Sequence, residues 1–425
     1  MLIEFRVRNF RSIRDELMFS MVGSADTTHP DHLIRSESMG DDSLLASSVL
    51  YGANAAGKTN LLLALNLMRN LVINSHSHQR GFELPFESFG FERESGERPT
   101  QMEAVFLEGS MKYVYGFSYD KNRILEEHLY QYPKKKKGVL FERTHDSPMK
   151  FPRADKETSD QREMIEKTTG ENVLFLSMAA KMNYRPVFPI FDWFQKSLMT
   201  VGPSDGLPLI ASTMQLMKRD PESKSSILKA LNVADLGILD IIEEDERPPA
   251  MGAAPLPLPR PGESHIVFQL TFGGPRITFI HKPYAEKGGQ GVHLPLASES
   301  EGTKKMLGII GPWIEALRTG GTLVVDELDT KLHHLIVRYL IGLFHDPEQN
   351  RKGAQLIFTT HDVNLLDQDL FRRDQVWLVE RDPFTGSTVA SSLAEFRIRK
   401  DLDIEKAYLA GRFGAIPNIM EEKVI

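Results

Sequence analysis

One short stretch, GANAAGKT at residues 52–59, constrains the fold more than any other part of the chain. It follows a run of strand-forming residues that ends near Tyr51, and it leads into a leucine-rich run with helical spacing that starts near Lys58. The stretch matches G-x-x-x-x-G-K-[ST] in the strand–loop–helix context that this motif requires. Glycines let backbone N–H groups curl around phosphate oxygens, and the helix N-terminus adds a partial positive charge. The sequence therefore predicts a phosphate loop within an α/β fold.

The side chains of this loop have separate predicted roles. Lys58 supplies a compact cation for the β- and γ-phosphates, and Thr59 offers its hydroxyl to Mg²⁺. Asn54 and Asn60 flank the loop and are candidates for contact with phosphate or with metal-bound water. The residues predicted to line the phosphate site are Gly52, Asn54, Ala55, Ala56, Gly57, Lys58, Thr59 and Asn60.

Two further apolar runs end in residues that carry chemistry. The run GGTLVVDELD at 320–329 is typical of a parallel strand buried on both faces, and it ends in Asp326 and Glu327. Open α/β sheets bind ligands at the carboxyl ends of their strands, where Asp326 can hold a Mg²⁺-bound water and Glu327 can polarise an attacking water. A second buried strand, 356–360, ends in His361, which can contact a γ-phosphate or hold the water. The alternative is a pair of strands followed by solvated polar residues.

The polar stretch LASESEGTKKML at 296–307 precedes another apolar, helix-like run. Ser300 can cap this helix, with an acid in the first turn. Ser300 and Gly302 can also present hydroxyl and backbone N–H groups to an anion at the helix N-terminus. The two interpretations are compatible, and both remain open at this stage.

Patterning predicts three segments: 1–150, 151–263 and 264–425. The first carries a strand at 2–8 and two antiparallel hairpins between about 82 and 143, the second of which has the basic turn Lys134–Lys137. Residues 151 to about 245 have helical spacing and predict a mostly helical insertion. The stretch 247–263 is rich in proline and predicts a linker, and strand signals return at 265–272 and 276–282.

Composition limits the classes of function. The formal net charge is -7, so any nucleic-acid contact must come from a local basic patch. The chain has no cysteine, which excludes disulfides, thiolate metal sites and a cysteine nucleophile, and is compatible with the cytoplasmic location that we expect. The N-terminus has no secretory-signal pattern, and no apolar run reaches the length of about 18 residues that a membrane span needs.

The order of these motifs resembles that of the ABC-type ATPases: phosphate loop, serine–glycine signature, acid pair, a following aspartate and a switch histidine. The resemblance implies an ABC-type head, an α/β fold with a mixed central sheet and an antiparallel β-subdomain, interrupted here by the mostly helical insertion. It implies that this head binds ATP with Mg²⁺ held by Thr59 and Asp326, and that it uses Glu327 and His361 in catalysis. It also implies that Ser300 and Gly302 complete the site of a second copy in a head-to-head homodimer or higher oligomer, and that Asp329 couples the two sites.

The start of the chain, FRVRNFRSIRDELMFSM, is similar to RecF, SMC-type and OLD-type heads rather than to transporter ATPases. SEGTKK and the stretch at 408–419 resemble the stand-alone OLD-like ATPases, a group that includes RloA-like proteins and the ATPase of the PARIS anti-phage system. The resemblance covers residues 1 to about 145 and about 264 to 419. It implies a defence ATPase that senses an invader and controls a separate effector, such as a Toprim or RloB-like protein.

Three points qualify this resemblance. No acidic cluster of the Toprim kind follows the ATPase motifs before Ile425, so we expect no nuclease activity in this chain. Gln101 is the nearest candidate for the glutamine that senses Mg²⁺ in ABC heads. The alternative function is a DNA-repair clamp of the RecF or SMC kind, which would bind DNA through Lys134–Lys137 or through Arg6, Arg8 and Arg11.

Overall fold

A computed structural model describes residues 1–133, 136–203, 205–234, 236–244, 276–283, 291–399 and 402–417. The chain divides into two compact units, of which the first comprises 1–203 with 315–425 and the second comprises 204–314. The predicted linker at 247–263 and the predicted strand at 265–272 lie outside the described residues. The segment boundaries drawn from the sequence at 150 and 263 stay predictions.

Both units contain strands, and most of the described strands lie in the first unit. In chain order they are β1 Leu2–Arg8, β2 Leu17–Ser20, β3 Leu33–Arg35, β4 Ser43–Leu45, β5 Ser47–Tyr51, β6 Thr100–Glu108, β7 Met111–Tyr119, β8 Ile124–Gln131, β9 Gly138–Thr144, β10 Ser147–Lys150, β11 Leu198–Val201, β12 Ile238–Glu244, β13 Arg276–His281, β14 Val292–Pro295, β15 Thr322–Val325, β16 Gln355–Thr359, β17 Val376–Arg381 and β18 Thr388–Ser392.

The helices occur in both units. They are α1 Lys58–Asn74, α2 Lys156–Thr168, α3 Phe175–Lys181, α4 Phe188–Asp192, α5 Gly206–Arg219, α6 Pro221–Val233, α7 Glu301–Thr319, α8 His334–His345 and α9 Ile404–Leu409. In the part of the chain that the structure describes, no helix combines the length and the apolar character needed to cross a bilayer.

A mixed sheet forms the centre of the first unit. Its strand order is β11-β15-β16-β5-β17-β18, in which only the edge strand β18 runs antiparallel to its neighbour. Every residue of β5, β15 and β16 is buried, as the continuous apolar runs predict for parallel strands covered on both faces. The strands predicted before the phosphate loop, before Asp326 and before His361 are therefore confirmed.

An antiparallel sheet accompanies the mixed sheet, with strand order β10-β9-β8-β7-β6-β1-β2. Strand β1 alternates between the core residues Phe5 and Val7 and the partly exposed Arg6, which is the period of a strand with one covered face. Both predicted hairpins are confirmed as β6–β7 and β8–β9. Leu61, Leu65 and Met68 carry the apolar stripe of α1 into the same core as Phe5. The predicted class, α/β with a mixed central sheet and an antiparallel β-subdomain, is confirmed.

The predicted helical insertion contains strands that the sequence interpretation missed. Helices α2 to α6 fall in it as expected, but 198–201 forms β11, an edge strand of the mixed sheet. Its backbone pairs in parallel with β15, from Leu198 opposite Thr322 to Val201 opposite Val325. The helical interpretation was wrong there because this pairing, more than a hundred residues away in sequence, decides the conformation. Residues 238–244 likewise form β12 rather than a helix.

The second unit has its own small sheet and helices. Strands β12, β13 and β14 form an antiparallel sheet in that order, which confirms the strand predicted at 276–282 as β13. Helices α5 and α7 pack closely. A side chain at Gly311 would overlap Thr213, and the Thr213 hydroxyl donates to the Gly308 carbonyl at 3.3 Å. The middle of α7, which follows the predicted signature, is thus packed against α5.

Candidate functional site

The sheet topology brings three of the predicted motifs to one edge. Strands β15, β16 and β5 are parallel neighbours, so their carboxyl ends lie side by side. The phosphate loop follows β5, Asp326 and Glu327 follow β15, and His361 follows β16. This is the edge at which open α/β sheets bind their ligands.

The phosphate loop is shaped by two glycines that have no room for a side chain. A Cβ at Gly52 would overlap the carbonyl oxygen of Val379 on β17. Gly57 has a φ of +107°, and a Cβ there would overlap Thr388 Oγ1. Only glycine combines this backbone conformation with so close an approach. Between them, Ala55 is a non-glycine residue with a positive φ of 62°, so the loop curls tightly from Gly52 to the start of α1.

Lys58 lies folded over this loop. Its Nζ donates to the carbonyl oxygens of Gly52 at 2.7 Å and Ala53 at 3.2 Å, so the ammonium group stays at the centre of the loop. Burial lowers the pKa of Lys58, and three nearby carboxylates, those of Asp326, Glu327 and Asp329, oppose that shift. A buried cation in a glycine-rich turn at the N-terminus of a helix is suited to an anion as concentrated in charge as a triphosphate.

Thr59 and Asp326 meet at the base of the loop. The Thr59 hydroxyl donates to Asp326 Oδ1 at 3.2 Å, and the Thr359 hydroxyl donates to the same oxygen at 2.6 Å. Asp326 is buried, so its carboxylate is held in place. Hydroxyl and carboxylate oxygens are the hard donors that Mg²⁺ prefers beside substrate phosphates, and the predicted metal pair therefore fits the ion.

Glu327 adopts an unusual backbone conformation. Its φ is 51°, in the left-handed region that non-glycine residues rarely enter, and such strain concentrates at functional sites. Its backbone N–H donates to Thr359 Oγ1 at 2.7 Å, while its carboxylate accepts from the Thr330 hydroxyl at 3.2 Å. Thr359 thus bonds to the side chain of Asp326 and to the backbone of Glu327, and the sequence analysis did not identify it. Its position at the end of β16, two residues before His361, is the only sequence signal for it.

Asp329 and His361 are brought together in the same chain. Both carboxylate oxygens of Asp329 lie 3.3 Å from the backbone nitrogen of His361, which donates to them. The His361 imidazole is exposed at the sheet edge, where it is free to face a ligand. The coupling of two sites through Asp329 is not tested by this contact and stays a prediction.

Ser300 caps helix α7 in the second unit. Its Oγ accepts from the backbone N–H of Thr303 at 3.0 Å, which confirms the capping interpretation. The preceding Glu299 is buried and pairs with His281 of β13 at 2.7 Å. Ser300 and Gly302 therefore stand on a fixed helix end, and their contact with a nucleotide on a second copy stays a prediction.

The remaining candidates occupy other positions. Gln101 lies on β6 opposite Arg8, and it lines a cavity over the antiparallel sheet together with Glu103 and His128. Its proposed metal-sensing role is untested. Asn60 donates through Nδ2 to Ser12 Oγ at 2.7 Å, and Asn54 is exposed on the loop.

The arginines proposed for DNA contact are partly neutralised. Arg6 pairs with Glu4, and Arg11 pairs with Glu87 at 2.8 Å. Lys134 and Lys135 of the basic turn lie outside the described residues, and Lys137 covers the ring of Tyr130. An acidic partner weakens the attraction of Arg6 and Arg11 for phosphate, whereas Arg8 is exposed at the end of β1, and the DNA-clamp alternative stays a prediction.

Several solved structures align with the chain, and a family model matches it. Solved structures that align with it include the SMC head domain from Thermotoga maritima, with 12% identity over 92% of this chain and 98% of that chain and a TM-score of 0.39. The Smc head domain with an extended coiled coil bound to the C-terminal domain of ScpA, derived from Pyrococcus furiosus, aligns with 10% identity over 97% of this chain and 98% of that chain, at a TM-score of 0.42. The recombination mediator protein RecF-ATP of the RecFOR pathway aligns with 14% identity over 85% and 92%, at a TM-score of 0.32.

A comparison with curated proteins finds no match. A family model does match, over residues 47–162 and 213–367, which hold the phosphate loop, the acid pair and His361. These two stretches make up more than half of the chain. The protein therefore belongs to the family described as AAA domain, putative AbiEii toxin, Type IV TA system.

Proposed function

We propose that the protein is an ABC-type ATPase that binds ATP with Mg²⁺ between two copies of itself and hydrolyses it. The observation that carries this proposal is the junction of Thr59, Asp326 and Thr359 beneath a phosphate loop that already holds Lys58 at its centre. Membership of an AAA family supports nucleotide binding as the common property.

Each residue has a defined part in this mechanism. Lys58 would bind the β- and γ-phosphates, and its positive charge would offset the charge that develops as the terminal phosphate leaves. Thr59 and Asp326 would hold Mg²⁺, which when bound neutralises phosphate charge and fixes the geometry of transfer. Glu327 would accept hydrogen bonds from the attacking water and orient it, with Thr330 and Thr359 fixing its position. His361 would donate to the terminal phosphate from the neighbouring strand.

Ser300 of a second copy would complete the site. The end of α7 presents a hydroxyl and helix N–H groups, which suit an anion bound elsewhere. A two-fold dimer then contains two equivalent sites, each made of the phosphate loop of one copy and the signature of the other.

A mixing experiment tests this shared site. Lys58→Ala and Ser300→Arg are each expected to be inactive alone, because each damages both sites of its homodimer. Mixed in equal amounts they should regain about a quarter of the wild-type turnover, since half of the dimers are hetero-dimers with one intact site of two. The measurement is steady-state phosphate release. Ser298→Arg, in the same exposed stretch, is the matched control and should stay active. If the mixture stays as inactive as its components, Ser300 does not act on the other copy.

We further propose that the ATPase acts in anti-phage defence, as an OLD-like sensor that controls a separate effector. The family description names a putative toxin of a type IV TA system, which supports action together with a second protein. ATP closure would hold the effector, and a trigger from the invader would release or activate it.

The partner is expected to be encoded beside this chain. Tagged Glu327→Gln protein should remain closed around ATP. It is expected to retain the neighbouring gene product at least about tenfold better with ATP than without nucleotide, because ATP shifts the protein towards the closed form that holds the partner. Lys58→Ala protein serves as the matched control that cannot close. Recovery of the ATPase alone under every nucleotide condition would contradict control of an effector.

A further inference from the structure

Two hydroxyl residues to which the sequence analysis assigns no role connect the phosphate loop to the N-terminal segment and to the edge strand β18. Ser12 lies in the loop after β1, and the buried Thr388 begins β18. The Thr388 hydroxyl donates to the carbonyl oxygen of Ala56 at 2.8 Å, and the two hydroxyl oxygens, Ser12 Oγ and Thr388 Oγ1, are 2.7 Å apart. Asn60 of α1 donates through Nδ2 to Ser12 Oγ at 2.7 Å.

Only one assignment of donors and acceptors fits the hydrogen bonds of this group. Since Thr388 uses its single hydroxyl proton on Ala56, it must accept the proton of Ser12. Ser12 therefore donates to Thr388 and accepts from Asn60. A further bond from the Thr388 backbone N–H to the Ser12 carbonyl at 2.7 Å fixes the two residues to each other. The result is a directed chain from Asn60 through Ser12 and Thr388 to Ala56, which we name the loop clasp.

The loop clasp occupies the space that the second glycine of the motif leaves open. A Cβ at Gly57 would overlap Thr388 Oγ1 and come within 2.8 Å of Ser12 Oγ. The absence of a side chain at Gly57 thus serves the clasp as well as the left-handed turn of the loop. The clasp anchors the end of the loop through the Ala56 carbonyl, and it anchors the first turn of α1 through the Asn60 side chain.

We propose that Ser12 and Thr388 are positioning residues that hold the phosphate loop in its binding conformation. They act through Ala56 and Asn60 rather than by touching the nucleotide. A loop that is already curled loses less conformational entropy when phosphate binds, so the clasp raises affinity without taking part in the chemistry. This inference rests on the proposed function, since it assumes that the loop binds a nucleotide phosphate.

The test compares Thr388→Val with Thr388→Ser in the full chain. Valine keeps the shape of the side chain but leaves the buried Ala56 carbonyl without its donor, whereas serine keeps the hydroxyl. We expect Thr388→Val to weaken ADP binding, measured calorimetrically without metal, by about tenfold, and Thr388→Ser to stay within about twofold of wild type. In steady-state hydrolysis KM should rise for Thr388→Val while kcat changes little, because uniform binding is lost.

Ser12→Ala breaks the loop clasp at a second hydrogen bond. It also covers the case in which Thr388→Val does not fold. Ser12→Ala should also weaken ADP binding. The double variant should bind ADP no more than about twofold more weakly than Thr388→Val, because both changes break the same series of hydrogen bonds. Ser391→Ala is the matched control, since the half-buried Ser391 lies on the same strand and its side chain takes no part in the loop clasp. It should bind ADP as the wild type does.

The outcomes separate this inference from the proposed function. If wild-type protein binds neither ADP nor ATP, the proposed function is wrong and the clasp has no nucleotide to serve. If wild-type protein binds ADP and both Thr388→Val and Ser12→Ala bind it equally well, the proposed function stands and the clasp is only structural. A lowered melting temperature with unchanged ADP affinity would have the same meaning.

Discussion

Replacing Glu327 with glutamine is expected to reduce ATP turnover by about 10²- to 10⁴-fold, the range that a positioned general base contributes. Glutamine has the same shape and can still accept the hydrogen bond that Thr330 donates to the carboxylate at 3.2 Å. The negative charge that polarises water is lost, whereas Lys58, Thr59 and Asp326 are untouched. Phosphate release under saturating Mg²⁺ and ATP measures the loss.

ATP binding should survive this change. We expect the Glu327→Gln protein to bind ATP with an affinity within about threefold of wild type and to accumulate as an ATP-dependent dimer, because closure is no longer reversed by hydrolysis. Size-exclusion chromatography with and without ATP reports the dimer. Glu171→Gln, which removes an exposed carboxylate of the same type, is the matched control and should hydrolyse ATP normally. Unchanged turnover in Glu327→Gln protein would exclude the role assigned to this residue.

The orientation of Glu327 can be separated from its charge. Thr330→Val removes the hydroxyl that holds the carboxylate but leaves the acid in place. A smaller loss of turnover than in Glu327→Gln is then expected, because the base is present but less well positioned. An equal loss would mean that Thr330 has a role beyond orientation.

The sequence predicted those parts of the fold whose residues carry their own pattern. Strands β5, β15 and β16 are buried on both faces, so their apolar runs alone identify them. The alternation of β1 and the turns of the β6–β7 and β8–β9 hairpins are equally local. Strand β11 lacks such a signal, since its four residues continue an apolar stretch with helical spacing and only the pairing with β15 makes them a strand.

The same distinction applies to the candidate site. Lys58, Thr59 and Asp326 belong to motifs with fixed spacing. As the motifs imply, the sheet topology brings the Thr59 hydroxyl within 3.2 Å of Asp326 Oδ1. Thr359 and Thr388 could not be identified from the sequence, because a hydroxyl at the end of a strand has many uses. Their partners, Asp326 and Ala56, lie more than thirty and more than three hundred residues away. Only the strand order of the sheet brings them together.

The first unit also depends on a charge pair that is far from the phosphate loop. Arg372 is fully buried, and Asp374 is nearly so. The guanidinium donates to both carboxylate oxygens, from Nε to Oδ1 at 2.9 Å and from Nη2 to Oδ2 at 2.7 Å. Asp374 also accepts from the backbone N–H and the hydroxyl of Ser24, at 2.7 and 2.8 Å. The pair therefore joins the segment after β2 to the turn before β17.

Replacing Asp374 with alanine is expected to lower the free energy of unfolding by about 3–5 kcal/mol, because it leaves a buried guanidinium without the carboxylate to which it is paired. Urea unfolding followed by tryptophan fluorescence measures the loss, and Asp374→Asn should cost less because the amide oxygen can still accept. The exposed pair Arg351–Glu348 offers the matched control, and Glu348→Ala should leave the unfolding midpoint unchanged.

Removing both charges, as Arg372→Met with Asp374→Leu, should recover part of the stability, since the penalty of Asp374→Ala arises from the unpaired charge. If the double variant is less stable than Asp374→Ala, the hydrogen bonds of Arg372 to Thr28 and Ser24 contribute more than the charge pair.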